Sequence, residues 1–266
     1  MKQMTLTIFT ILALALPLIA ASTNDIPASP FNVTVMEPVL NQSRTDEPTD
    51  CIELMFVIDD TGSMGGAINN IKLGLANLLQ TAMNVSNGNL RAGVMTFKDQ
   101  VTVNLPLTSN MTDVTNAINA LFASGGTGWP EASDVALHEL GTIGDCVASG
   151  DFNPMSWSED CCKIAILVTN APPAGCDDAF GNADILSANA AAQALASMGV
   201  KIGSLLRQQP SSDINPIYYS DPDAEPIMIN YAITTGGLFG LIEPDGSNTS
   251  MAIEQVILDC AGISTE

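Results

Sequence analysis

Short, uninterrupted apolar runs alternate along this chain with longer stretches in which apolar residues recur every three or four positions. Residues 52–58 form a run of strand length, and Ile68, Ile71, Leu75, Leu78 and Leu79 after it keep helical spacing. Residues 90–97 and 101–105 are two further runs, close enough in sequence to pair as a hairpin. Val114, Ile118, Leu121 and Phe122 mark a second helix, and Ala132, Val135, Ala136, Leu140 and Ile143 a third. A strand at 163–169, an alanine-rich helix at 184–198, strands at 200–206 and 238–242, and a helix at 251–258 complete the pattern. Strands that are apolar on both sides belong in a sheet covered on both faces. The pattern therefore predicts an α/β fold: a doubly wound, Rossmann-like, mostly parallel sheet with one antiparallel edge strand and helices on both faces.

The N-terminal stretch does not follow this alternation. Lys2 precedes an apolar run over residues 6–18, closed by the small residues Ala20, Ala21 and Ser22. Charge, length and closing residues are those of a secretory signal peptide, residues 1–21. Residues 22–50, rich in Pro, Asn, Ser, Thr and Asp, have no sustained period and read as an exposed, extended segment. One domain over residues 51–262 remains. No later run is long and apolar enough to span a bilayer, and the last residues carry no tail for a lipid anchor. The expected location is secreted and extracellular.

Composition narrows the partners. The chain of 266 residues carries 29 acidic against 8 basic side chains, a net charge of −21. Such a field repels phosphate backbones, so nucleic acid and anionic membranes are poor partners, and it keeps a secreted protein soluble. Asn32, Asn41, Asn84, Asn110 and Asn248 each begin an Asn-x-Ser/Thr sequon. Six cysteines, an even number, read as disulfides in an oxidising compartment; a single His and no CxxC pair argue against zinc.

The chemistry concentrates where strands end. Residues 56–64 read Phe-Val-Ile-Asp-Asp-Thr-Gly-Ser-Met, a buried strand running into an Asp59-x-Thr61-x-Ser63 turn. A carboxylate and two hydroxyls at one strand end suit a hard cation, Mg²⁺ or else Mn²⁺ or Ca²⁺. The same residues also suit a plain helix cap. In an open α/β sheet, ligands collect beyond the carboxyl ends of the strands, and two more loops lie there. One is Ser124-Gly-Gly-Thr-Gly-Trp-Pro-Glu131, whose Pro130 and Glu131 also suit a helix start; the other follows Thr169 at Asn170-Ala-Pro-Pro-Ala-Gly175.

Together these segments resemble the metal-ion-dependent adhesion site of von Willebrand factor type A domains, in wording close to hemicentin-like members. The resemblance runs from about Cys51 to Cys260. It implies a metal set of Asp59, acting mainly through water, Thr61, Ser63 and Thr127 as direct ligands, and Asn170. Three departures stand out. Gly128 takes a position where related sequences place an Asp, Asn170 that of the usual metal-site Asp, and Ala174 that of a His in the third loop. Asn keeps an oxygen acceptor but removes one negative charge, so a cation site here is expected to be weakened, or to have drifted to a structural role.

In a fold of this kind Cys51 and Cys260 both lie on the face opposite the metal loops, and a bond between them would close the domain. Cys146 and the Cys161-Cys162 pair suggest a second bond on that face, which leaves Cys176 without an evident partner. No catalytic constellation emerges. His138-Glu139-Leu-Gly-Thr142 lacks the second His of a zinc protease motif, and the only His, His138, is expected on the surface of the third helix. The expected function is recognition of an extracellular protein through an acidic side chain that completes the metal's coordination. The alternatives are a structural extracellular protein with a degenerate site, one chain of a larger complex, and a metal-assisted hydrolase.

Overall fold

Strand β1 (Ile52–Asp59) is buried along its whole length and organises the molecule. Its side chains alternate between two apolar layers, as the pleat of a central strand requires. Ile52, Leu54, Phe56 and Ile58 face one core, and Met55 and Val57 face the other. The computed structural model describes residues 50–141, 147–150, 152–210 and 218–263, all within one compact unit. The expected signal peptide, nearly all of the segment at 22–50, Ile143 and Cys146 lie outside the described residues.

The other elements follow in chain order. They are α1 (Gly65–Val85), β2 (Leu90–Phe97), β3 (Val101–Thr108), α2 (Met111–Ala120), α3 (Ser133–Gly141), β4 (Val147–Ser149) and β5 (Cys162–Thr169). After them come α4 (Asn182–Ser197), β6 (Val200–Arg207), β7 (Gln209–Pro210), β8 (Tyr218–Tyr219), α5 (Ala224–Thr235), β9 (Phe239–Ile242) and α6 (Thr249–Cys260). Seven strands form one sheet in the order β4-β3-β2-β1-β5-β6-β9, and β7 and β8 pair separately. Among the described residues the one antiparallel pair of the large sheet is β2–β3; the three-residue β4 pairs in parallel with β3 on the outside and forms that edge. Helices α1, α2 and α6 cover one face, and α3, α4 and α5 the other.

The sequence reading does not contain α5, β4, β7 or β8, and two local details differ from it as well. Helix α2 stops at Ala120 because Leu121 turns to extended backbone (φ −58°, ψ 143°). Leu121 still reaches the core, whereas Phe122 is 75% exposed instead of facing it. His138 is half-buried between α3 and α4, with its Nε2 3.1 Å from the Ser187 carbonyl oxygen.

The disulfides also correct the sequence expectation. Cys51 bonds Cys161, and Cys162 bonds Cys260, in place of a Cys51–Cys260 bridge. The reason lies in register and pleat. Ile52 is level with Cys162 in the β1–β5 ladder, and the Cys162 amide donates to the Cys51 carbonyl, so Cys51 meets Cys161. The next residue along a strand points the opposite way, which turns Cys162 toward the helical layer that holds Cys260. The adjacent cysteines thus tie the first strand, a central strand and the last helix together. Cys176 is disulfide-bonded as well.

Candidate functional site

Asp59 closes β1 with its carboxylate wholly buried. Its Oδ1 accepts from the Thr61 backbone N–H (2.9 Å) and hydroxyl (2.7 Å), and its Oδ2 from the Thr169 hydroxyl at the end of β5 (2.8 Å). Burial raises the Asp59 pKa; the bonds from Thr61 and Thr169 work against that, and neighbouring Asp60 adds to it. The turn then carries Thr61 and Ser63 forward, their hydroxyl oxygens 3.2 Å apart, and Ser63 Oγ donates to Asn170 Oδ1 at 3.1 Å. Residues separated by 107 positions meet here because β1 and β5 are parallel neighbours that end at one level.

Backbone bonds stitch the three loops together. Ser124 N–H donates to the Asp60 carbonyl and Gly62 N–H to the Gly125 carbonyl, which joins the first loop to the second. Glu131 N–H donates to the Pro172 carbonyl and Ala132 N–H to that of Lys98, which joins the second loop to the third and to the end of β2. Lys98 in turn lies 3.2 Å from Asp60. The result is a cleft of about 180 Å³ whose lining includes Thr61, Ser63, Gly126, Trp129, Glu131 and Asn170. Trp129 stands at its edge, 43% exposed, with its Nε1 donating to Asp221.

Four of the five expected residues, Asp59, Thr61, Ser63 and Asn170, are therefore connected by hydrogen bonds. Thr127 is not among them. Its hydroxyl donates to Asp178 Oδ2 (3.1 Å), and its backbone N–H lies 3.3 Å from Asp99 Oδ1. In its place the cleft receives Glu131, which from sequence alone reads as helix-start chemistry. Glu131 is 4% exposed, and among the described residues its Oε2 has no hydrogen-bond partner. Burial, reinforced by the nearby charges of Asp59, Asp99 and Asp178, pushes its pKa up to about 9. Gly126 makes this possible: at φ +87°, a Cβ there would come within 3.0 Å of both Glu131 Oε1 and the Thr61 methyl.

Gly128 has a comparable role. A Cβ on it would fall 2.2 Å from Asp178 Oδ1, so the Asp178 carboxylate occupies the space that a side chain at 128 would fill. Asp178 itself adopts a left-handed backbone, φ 57°, which Asp tolerates better than most residues. The acidic group that the resemblance expects at 128 thus arrives from the third loop.

A carboxylate, two hydroxyls and an amide oxygen, beside an unpartnered buried carboxyl, form an all-oxygen set that suits a hard divalent cation. Asp59, Thr61, Ser63, Asn170 and Glu131 are the residues that could hold one. Among the described residues no group of three or more His, Cys, Asp or Glu side chains is arranged to bind a metal. The donors here are mostly neutral oxygens.

Comparison with known proteins bears on the fold. A family model described as the von Willebrand factor type A domain matches residues 54–145. The chain is similar to the conserved hypothetical protein BatB from Bacteroides thetaiotaomicron (TM-score 0.53, 18% identity), covering 79% of this chain and 99% of that one. It is similar to the vWF domain of the type V pili tip protein Mfa5 from Porphyromonas gingivalis (TM-score 0.51, 14% identity), covering 81% and 97%. It also resembles proximal thread matrix protein 1 from the mussel byssus (TM-score 0.54, 13% identity), covering 81% of this chain but 48% of that one. No curated protein matches the sequence. The fold is thus a von Willebrand A-like Rossmann fold.

Proposed function

We propose that this chain is a secreted von Willebrand A-type binding protein that recognises an extracellular macromolecule through an acidic side chain presented to a divalent cation in the cleft. The observation that carries the reading is the convergence of Asp59, Thr61, Ser63 and Asn170 from two parallel strand ends around a cleft that also holds the buried Glu131 carboxyl, whose Oε2 has no partner among the described residues. Asp59, held by three hydrogen bonds, anchors the first loop and acts on the cation through water, while Thr61, Ser63 and Glu131 offer oxygens directly. Asn170 positions Ser63. Thr127 can join only by releasing Asp178. A bound Mg²⁺ or Mn²⁺ supplies a coordination position that a partner's carboxylate completes. Secretion is supported by the disulfides, and among the described residues no helix is long and apolar enough to cross a membrane. Among the described residues no His, Cys or Lys lines the cleft, and we read it as a binding site.

Isothermal titration with Mg²⁺ and Mn²⁺ tests the reading. Asn170→Asp, which restores a negative charge, is expected to tighten cation binding, and Ser63→Ala to weaken it. If the wild-type protein and Asn170→Asp both give no heat, the cleft is not a cation site. A structural extracellular protein of the same fold then becomes the better account. That second reading has one observation in its favour: Thr61, Ser63 and Asn170 already satisfy one another.

A further inference from the structure

Three of the five sequons lie within the described residues, and the fold treats them differently. Asn84 sits in the last turn of α1, exposed; its Oδ1 accepts from Gln80, and among the described residues its Nδ2 donates no hydrogen bond. Asn110 is exposed at the start of α2, where its Oδ1 caps the Thr112 N–H and its Nδ2 reaches Asp113. Asn248 is half-buried and clasped at both ends: its Oδ1 accepts from the Glu243 N–H (2.8 Å) and its Nδ2 donates to the Leu241 carbonyl (3.2 Å).

Their positions divide in the same way. Helix α1 starts beside the cleft and runs 21 residues away from it, about 30 Å at helical rise. The turn after it meets the start of β1, where the Ile52 N–H donates to the Asn89 carbonyl. Asn110 follows Thr108 at the end of β3, which is level with Ala92 near the start of β2. Both asparagines therefore lie at the end of the sheet away from the cleft, roughly 25 Å distant along an eight-residue strand. Asn248 follows β9, whose Ile242 is level with Arg207 at the finish of β6, on the cleft's own end.

We propose that Asn84 and Asn110 carry N-linked glycans, whereas Asn248 stays bare, so that the sugars cover the far end and leave the cleft end open to a macromolecule. The proposal rests on the secretion reading above, since sequons are used only in a glycosylating secretory pathway. A sugar on Asn248 Nδ2 takes a hydrogen from the atom that holds the Leu241 carbonyl and has to pass through a half-buried loop. Chains modified there do not complete the β9–α6 connection. On Asn84 and Asn110 the acceptor bonds run through Oδ1, which glycosylation leaves in place; the Asn110 Nδ2 bond to Asp113 lies on the exposed surface, where the one N–H that a glycosylated amide keeps is free to reorient.

The test is site mapping on the full chain secreted from cultured insect or mammalian cells, once with its own N-terminus and once with a host leader replacing residues 1–21. Enzymatic release of N-glycans in ¹⁸O-water marks each occupied asparagine by mass. Label at Asn84 and Asn110 with none at Asn248 is expected, with one glycan lost in each of Ser86→Ala and Thr112→Ala. A glycan on Asn248, or a bare Asn84 or Asn110, overturns the assignment. If only the host-leader form is secreted, the secretion reading fails while the glycan assignment is still decided. Mg²⁺ titration before and after glycan release is expected to give the same affinity; a change of tenfold or more places the sugars at the cleft and overturns the claim that they leave it open.

Discussion

Glu131→Gln isolates the feature on which the cleft depends. The carboxyl is 4% exposed, its Oε2 has no hydrogen-bond partner among the described residues, and its pKa stands near 9 against an ordinary 4.5. Between these values the folded chain keeps a proton that the unfolded chain releases. Its contribution to stability is therefore complete below pH 4.5 and is lost as pH rises toward 9. One such group changes stability by at most about 1.4 kcal/mol per pH unit, so the ceiling between pH 5 and pH 8 is about 4 kcal/mol. At about 2–4 °C per kcal/mol for a domain of this size, that corresponds to a shift on the order of 10 °C. Glutamine has nearly the same shape and does not titrate. Thermal melts in chelator, at half-unit steps from pH 5 to 8, should show wild type losing stability relative to Glu131→Gln as pH rises. Adding Mg²⁺ should reverse the order at pH 8, because a cation rewards the carboxylate and not the amide. Parallel pH curves in chelator would refute the desolvated carboxyl, and equal Mg²⁺ responses would remove Glu131 from the site.

Gly128→Asp should destabilise the domain by about 1–3 kcal/mol, since its Cβ meets the Asp178 carboxylate; adding Asp178→Ala should recover most of this, a coupling read from denaturant melts of the two single variants and the double. Non-reducing peptide mapping should recover the fragment holding Cys161 and Cys162 joined to two others, those of Cys51 and Cys260. Replacing Cys162 and Cys260 together by Ala opens a cross-link across 98 residues, which the chain-entropy model rates at about 4–5 kcal/mol, measurable as a lower urea midpoint.

The sheet was legible because its central strands are apolar on both sides, a pattern that needs no partner to be recognised. Helix α5 was not. It opens with Ala224, Glu225 and Pro226, and its apolar side chains mix the buried Ile227, Met228 and Tyr231 with the 52% exposed Ile233, so no clean stripe shows. Phe122 misled for the opposite reason: its apolar spacing continues past the residue where the backbone leaves the helix. The cysteines showed which end of the sheet they occupy, but their pairing depends on which way each points from the pleat. Sequence separates residues 161 and 162 by one step, and the fold separates them by a sheet face.

The candidate site follows the same logic at finer scale. The Asp59-Thr61-Ser63 turn was readable because its three residues lie on one strand end. Glu131 was not, because its backbone is hydrogen-bonded to Pro172, 41 positions along the chain, a long-range contact that local sequence does not show. Nor was Asp178, whose link to Thr127 spans 51 positions. These two carboxyls change how the departures at 128 and 170 are to be understood. Each departure removes an acidic side chain at a position where the resemblance expects one, and each time the fold brings another to the same neighbourhood: Asp178 against Gly128, and Glu131 into the cleft that Asn170 lines. The acidic groups have moved more than they have vanished, although Glu131 is held neutral by its burial. In the proposed cation site, a carboxyl held neutral by burial differs from a permanently ionised aspartate: it adds no further negative charge beside Asp59 until a cation binds, and cation binding there then releases a proton.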